Sequence, residues 1–201
     1  MKTYEVYPAS ENGPQWESLP KADISNVQWL EDKGIQAWGQ LCYDEKFLYV
    51  RLEAVEEHIL ARYTGEVDPV CDDSCLEFFF TPKEDGNRYF NMEVNPNGAC
   101  YFGFGRLRHE RSRLLCKNVK ELFNIRTFRT EKGWGVEYAL PMWYLEIYSP
   151  DFALYPGKKL RANFYKCAEE SATPHFMTWN KVEMETPDFH QPGYFGQLIF
   201  K

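Results

Sequence analysis

The stretch Cys75-Leu76-Glu77-Phe78-Phe79-Phe80, followed by Arg88-Tyr89-Phe90-Asn91-Met92-Glu93-Val94-Asn95, alternates with a period of two. Successive side chains of a strand point to opposite faces. Leu76, Phe78 and Phe80 therefore share one face, against Cys75, Glu77 and Phe79. Likewise Phe90, Met92 and Val94 oppose Tyr89, Asn91, Glu93 and Asn95. One face of each strand is apolar and suits a core. The other mixes carboxylates, amides and rings.

The pattern repeats outward from this pair. Phe47–Ala54 sets Leu48, Val50, Leu52 and Ala54 against Tyr49, Arg51 and Glu53. Trp134–Leu140 sets Trp134, Val136, Tyr138 and Leu140 against Glu137. Lys159–Lys166 sets Leu160, Ala162 and Phe164 against Arg161, Asn163 and Tyr165. Further strands are expected at 38–43, 100–104, 123–130 and 194–200, with tight turns at Asp44-Glu45, Asn95-Pro96-Asn97-Gly98 and Glu131-Lys132-Gly133. Helix is scarce. Pro141–Ile147 opens with proline at a first-turn position, and Gln15–Leu19 and Glu56–Ala61 are shorter candidates. The polar, basic stretch Arg106–Asn118 reads as a long loop or an irregular excursion. Many short strands joined by turns predict an all-β fold, an antiparallel, jelly-roll-like β-sandwich with one or two short helices.

The 201 residues suit one domain, 1–201. Thirty acidic against 23 basic side chains give a net charge of −7, which argues against a nucleic-acid partner. No apolar run approaches the ~20 residues of a spanning helix, so no membrane partner is expected. The start, Met1-Lys2-Thr3-Tyr4-Glu5, carries no signal-peptide pattern, and a cytoplasmic location is the expectation. Six cysteines, mostly in apolar stretches, read as buried free thiols. Cys71 and Cys75 are four apart, with no second cysteine or histidine cluster nearby in sequence to complete a zinc site. Aromatic residues make up 17% of the chain. Most of them serve a core, and Tyr or Trp on a polar face marks a ligand surface.

The order of several segments resembles family 9 carbohydrate-binding modules and their single-domain relatives. The segments are Asp44–Val50, Asp73-Ser74-Cys75-Leu76-Glu77-Phe78-Phe79, Tyr89–Asn95 with Gly98, Gly133–Glu137 with Leu140-Pro141, Arg161–Phe164, Thr178-Trp179, and Phe189-His190-Gln191-Pro192-Gly193-Tyr194-Phe195-Gly196. The resemblance implies a β-sandwich that binds saccharide and works beside glycoside hydrolases. In those modules two tryptophans sandwich a sugar ring. Here the stretch that would hold one of them is Val70-Cys71-Asp72, without an aromatic, and Phe189 stands in the place of the other. Glu77 and Asn163 match binding positions, and the position of a module arginine falls near Glu93. Such modules often hold structural calcium, which would put a calcium site around Asp72 and Asp73; otherwise no cofactor is expected.

Sugar C–H faces stack on rings, and hydroxyls bond to carboxylates, amides and arginine. The expected saccharide site is therefore Trp179 and Phe189 as stacking rings, Glu77, Glu93, Asn91 and Asn163 as hydroxyl partners with Arg161 beside them, and His190 and His175 on the rim. No catalytic residue is assigned. Three readings stay open: a non-catalytic saccharide binder, a glycoside hydrolase using Glu77 with a second carboxylate, and an interaction domain that has lost sugar binding. If several of these strands share a sheet, their polar faces form one continuous surface, which also suits a solvent-facing sheet with cross-strand ion pairs.

Overall fold

The computed structural model describes residues 1–201. Its strands, in chain order, are β1 (Thr3–Pro8), β2 (Ala22–Asp23), β3 (Asn26–Gln28), β4 (Gln36–Tyr43), β5 (Phe47–Val55), β6 (Cys75–Phe80), β7 (Tyr89–Val94), β8 (Cys100–Leu107), β9 (Glu110–Arg113), β10 (Arg126–Thr130), β11 (Gly133–Pro141), β12 (Lys159–Cys167), β13 (Phe176–Thr178) and β14 (Gly196–Phe200). Two α-helices interrupt them, α1 (Val119–Leu122) and α2 (Met142–Tyr148). No helix is long and apolar enough to cross a membrane.

The strands form a sandwich. The smaller sheet runs β10-β11-β5-β4-β1, with β2 on β4. The larger runs β1-β14-β12-β6-β7-β8-β9, with β13 and β3 added at β12. β1 belongs to both sheets, and its pairing with β14 and with β4 is parallel; all other pairs are antiparallel. The apolar faces read from alternation meet between the sheets. Leu48, Val50, Leu52, Trp134 and Val136 of one sheet join Phe78, Phe80, Phe90, Met92 and Phe164 of the other in one buried cluster. Phe78 stacks on Phe80 and Phe164, with centroids 5.1 and 4.9 Å apart.

The two sheets approach closely where glycine replaces a side chain. A methyl on Gly39 would lie 2.5 Å from Phe164 Cδ1. A methyl on Gly133 would overlap the backbone carbonyl of Ala54 on β5, its neighbour strand. Backbone yields less readily than a side-chain tip. Gly133→Ala is therefore expected to cost about 1–3 kcal/mol, the usual range for overpacking, read as a lower urea midpoint with an unchanged slope.

Three expectations need correction. Residues 106–118 are loop only in part: β8 runs on to Leu107, Glu110–Arg113 turns back on it as a strand, and 114–118 is irregular. The arginines of β9 lie over rings, Arg111 4.5 Å from Tyr89 and Arg113 4.4 Å from Tyr101. Cation–π contact lets a basic segment pair with the sheet. Residues 56–61 are not helical. There Glu56 is drawn into the core by Trp134 and Lys166, and the Leu60 amide donates to Ser74 Oγ. The polar face does not form one surface either. Arg51 bonds Glu53 and Glu137 on the smaller sheet, an ion cluster separate from the carboxylates of the larger one.

Candidate functional site

The outer face of the larger sheet is covered. Beyond β12 the chain folds back over it, and Val182, Phe189 and Phe195 pack on Cys75, Phe79, Tyr89, Tyr165 and Cys167. Phe189 stacks flat on Tyr165, with centroids 4.2 Å apart and planes 14° from parallel, and the Tyr165 hydroxyl donates to the Phe189 carbonyl at 3.0 Å.

Two predicted ligand residues turn out to brace this cover. Asn163 is fully buried; its amide donates to the Asn180 carbonyl and its carbonyl accepts from the Asn180 amide, both at 2.8 Å. Arg161 donates to the backbone carbonyls of Glu84, Gly86 and Pro192. Both sets of donors are spent on the protein, so neither residue faces a ligand.

The cover leaves one recess over the middle of the sheet, of ≈ 350 Å³ including its open mouth. The space that a water-sized molecule can enter is only ≈ 40 Å³, well below the ~300–1,000 Å³ of ordinary small-molecule sites, so the recess as it stands admits part of a ligand at most. Its buried members are Glu77, Glu93 and Phe189; Cys71, Phe176 and His190 are half-buried beside them; Arg108, Glu169, Pro187 and Asp188 form the outer rim. Four of the nine residues expected at the site are therefore brought together: Glu77, Glu93, Phe189 and His190.

The electrostatics follow from register. Glu77 on β6 and Glu93 on β7 are direct partners. Burial and mutual repulsion hold the Glu77 carboxyl well above the usual range, and burial pushes Glu93 up to about 7. Asn91 sits behind Glu93 and donates to Oε1 at 2.7 Å, which favours the charged form. Asn91 supports the acceptor instead of lining the recess. One carboxyl of the pair thus keeps its proton at neutral pH, which gives the site an O–H donor beside carboxylate acceptors. His190 goes the other way. Burial and the neighbouring Arg111 push it down to about 3, so the ring is neutral. Arg111 donates to His190 Nδ1 and to the Tyr89 hydroxyl, each at 2.6 Å, so the His190 proton resides on Nε2.

Trp179 and His175 lie on the opposite side of the sheet. Trp179 is 3% exposed and meets Phe164 and Tyr4 edge-on at 5.6 and 6.5 Å, in the core between the sheets. His175 is 2% exposed, and its Nδ1 donates to the Thr173 carbonyl at 2.7 Å. Neither touches the recess. The expected second stacking ring is therefore absent, and Phe176, edge-on to Phe189 at 5.9 Å, is the other aromatic lining the recess.

The calcium expectation does not fit its residues. The Asp73 carboxylate accepts from the Arg62 and Tyr63 amides, from Arg62 Nε and from Asn95 Nδ2. Four N–H donors surround it, where calcium needs six to eight oxygens. Asp73 pins the 62–63 segment to the turn after β7. Asp72 meets only the Tyr63 hydroxyl, at 3.5 Å, and the Cys71 thiol, at 3.9 Å.

Cys71, Arg108, Glu169, Phe176, Pro187 and Asp188 were missed by the sequence reading. One signal pointed to Cys71: it lies in the stretch where the resemblance places a tryptophan. Arg108 and Glu169 come from segments whose positions depend on distant pairing.

The family model described as carbohydrate-binding family 9 matches residues 15–200. No curated protein matches the chain. A candidate carbohydrate-binding protein from Bacteroides uniformis has a similar structure, with a TM-score of 0.84 at 22% identity over 100% of this chain and 99% of that one. Two structures of a family 9 carbohydrate-binding module from Caldicellulosiruptor kristjanssonii also match, each with a TM-score of 0.68 over 100% of this chain. One is in complex with glucose, at 14% identity over 96% of that chain; the other is in complex with cellotriose, at 15% over 94%. The low identities speak for the fold, and the match over residues 15–200 speaks for descent: the chain belongs to carbohydrate-binding family 9.

Proposed function

We propose that the chain binds a mono- or oligosaccharide, without catalysis, in the recess over Glu77 and Glu93. The observation that carries this reading is the opposed carboxyl pair at the bottom of a recess with an aromatic wall. A sugar hydroxyl donates and accepts, and a carboxyl pair holding one proton offers both partners. Phe189 and Phe176 supply apolar edges for the C–H face. Phe189 is only 8% exposed, with Tyr165 on one of its faces, so hydrogen bonding dominates and stacking is secondary. A role beside glycoside hydrolases in polysaccharide breakdown accords with the family, which consists of non-catalytic binding modules.

Calorimetric titration with glucose and with cellotriose tests this. Saturable binding at millimolar or lower concentration is expected. Glu77→Ala and Glu93→Ala should each weaken it about tenfold or more, since a net hydrogen bond carries about 0.5–1.5 kcal/mol and one to a charged group about 1.5–3. Phe189→Leu should weaken it about two- to tenfold, from the loss of about 0.5–1.5 kcal/mol of ring contact. A glycan array with no bound saccharide overturns the reading. Release of reducing sugar that is lost in Glu77→Gln would establish the hydrolase instead.

A further inference from the structure

We propose that Cys75, Cys167 and Glu77 form a site for a thiophilic divalent cation of the zinc type, directly beneath the recess. Cys75 on β6 and Cys167 on β12 are register partners, and Glu77 follows two residues along β6 on the same face. One ligand atom from each of the three lies within 4.8 Å of the other two, and all three residues are buried. The Cys167 thiol is 3.1 Å from Glu77 Oε1. Ligands about 2.3 Å (sulfur) and about 2.1 Å (oxygen) from a tetrahedral zinc ion stand under 4 Å apart. Small side-chain rotations close the remaining gap.

The surroundings call for positive charge. Glu93 opposes Glu77, and Glu169 stands at the rim; Arg108, the one cation lining the recess, is exposed. Lys166, the nearest lysine in sequence, points to the other side of the sheet, where it pairs with Glu56. Two thiols and a carboxyl therefore share a buried position without a cationic partner. A bound dication would replace their protons, which pass to solvent. Two thiolates and one carboxylate make three ligands. The fourth comes from the recess, as water or as the Cys71 thiol, which lines it and whose backbone carbonyl is 3.7 Å from Cys167 Sγ. Thiolate ligands select zinc or cadmium over calcium or magnesium. Glu77 is shared with the proposed saccharide contacts, but Cys75 and Cys167 do not line the recess, so loss of metal binding in the cysteine variants is read independently of saccharide binding.

The test is titration of the reduced full chain with Cd²⁺, read by thiolate-to-metal charge-transfer absorption. One equivalent should saturate the signal, and Zn²⁺ should displace it. Cys75→Ser and Cys167→Ser should each weaken binding at least tenfold, with Cys116→Ser unchanged and circular dichroism confirming that each variant folds. Zinc X-ray absorption on the unmodified protein reads the same site without any variant: two or more sulfur ligands are expected. A zinc environment of oxygen and nitrogen alone, or a cadmium signal indifferent to Cys75→Ser and Cys167→Ser, overturns the proposal.

Discussion

Lys166→Met should cost about 3–5 kcal/mol, the largest effect expected of any single substitution considered. Lys166 extends from the inner face of β12 into the core and is fully buried, and so is its partner Glu56. The ammonium lies 3.1 Å from Glu56 Oε1 and donates to the Cys167 carbonyl at 2.9 Å. Glu56 also accepts from Trp134 Nε1 at 2.5 Å and from Ser74 Oγ at 3.2 Å. The pair ties the end of β5 and the start of β11 to β12 and to the residue before β6, which joins the two sheets. Methionine fills the space of the lysine stem but leaves a carboxylate in the core with two neutral donors. An uncompensated buried charge is far costlier than the pair was stabilising. At about 2–4 °C per kcal/mol for a chain of this size, the melting temperature should fall by about 6–20 °C.

The double variant Glu56→Gln/Lys166→Met separates charge from packing. It removes both charges and keeps an amide carbonyl for Trp134 and Ser74. It should recover most of the loss, because replacing a buried pair is often near neutral. Thermal unfolding followed by circular dichroism measures both. A Lys166→Met protein within about 1 kcal/mol of the parent would show that the carboxylate is relieved by other means.

The same strand shows what alternation could and could not reveal. In Leu160, Ala162 and Phe164 the inner face was plain from the sequence, and the core assembled from it as expected. The lysine that ends the same series is inner too, and nothing local indicates that a glutamate 110 residues earlier in the chain meets it. Trp179 failed for a related reason. It follows a strand of only three residues, 176–178, too short to display a face. Its direction is set by pairing with β12, through Tyr165↔Thr178 and the Trp179 amide bond to the Phe164 carbonyl. Glu77 and Glu93 were readable as polar-face residues of neighbouring strands. Their convergence needed only the β6–β7 hairpin, a local contact. Asn163 and Arg161 share that face but lie under the 180–194 cover, whose fold no periodicity announces. The cysteine pair is the extreme case. Cys71 and Cys75 were visible as neighbours in sequence, but Cys167 reaches Cys75 only through the register of β12 on β6. Short-range pairing was thus open to sequence reasoning. Contacts made by loops folding back, or by strands brought together from far apart, were not.

The stability of the fold should depend on pH through His175. The ring is buried in the core beside Lys166 and Glu56, the charged groups that face it. Burial and the Lys166 ammonium push its pKa from the ordinary 6.5 down to about 4, against smaller raising effects from the Thr173 carbonyl and Glu56. Nδ1 holds the proton shared with the Thr173 carbonyl, and Nε2 has no partner. Charging the ring would place a second cation beside Lys166. As pH falls, the unfolded chain therefore takes up a proton at this residue first, near 6.5, and the folded chain only near 4. The unfolded state binds more protons throughout that window, so stability falls as pH drops through it and levels off below about 4. The full difference corresponds to about 3 kcal/mol. His190, also pushed down, acts in the same direction, and Glu93, pushed up to about 7, acts in the opposite one. The parent curve alone therefore does not isolate His175. Comparison with His175→Gln does, because the other groups contribute to both proteins. Gln retains a donor for the Thr173 carbonyl but has no proton to gain. Urea unfolding at pH 7.5 and at pH 4 should show the parent losing about 3 kcal/mol more than the variant. Equal losses in the two proteins would mean that His175 accepts its proton in the folded state as readily as in the unfolded one.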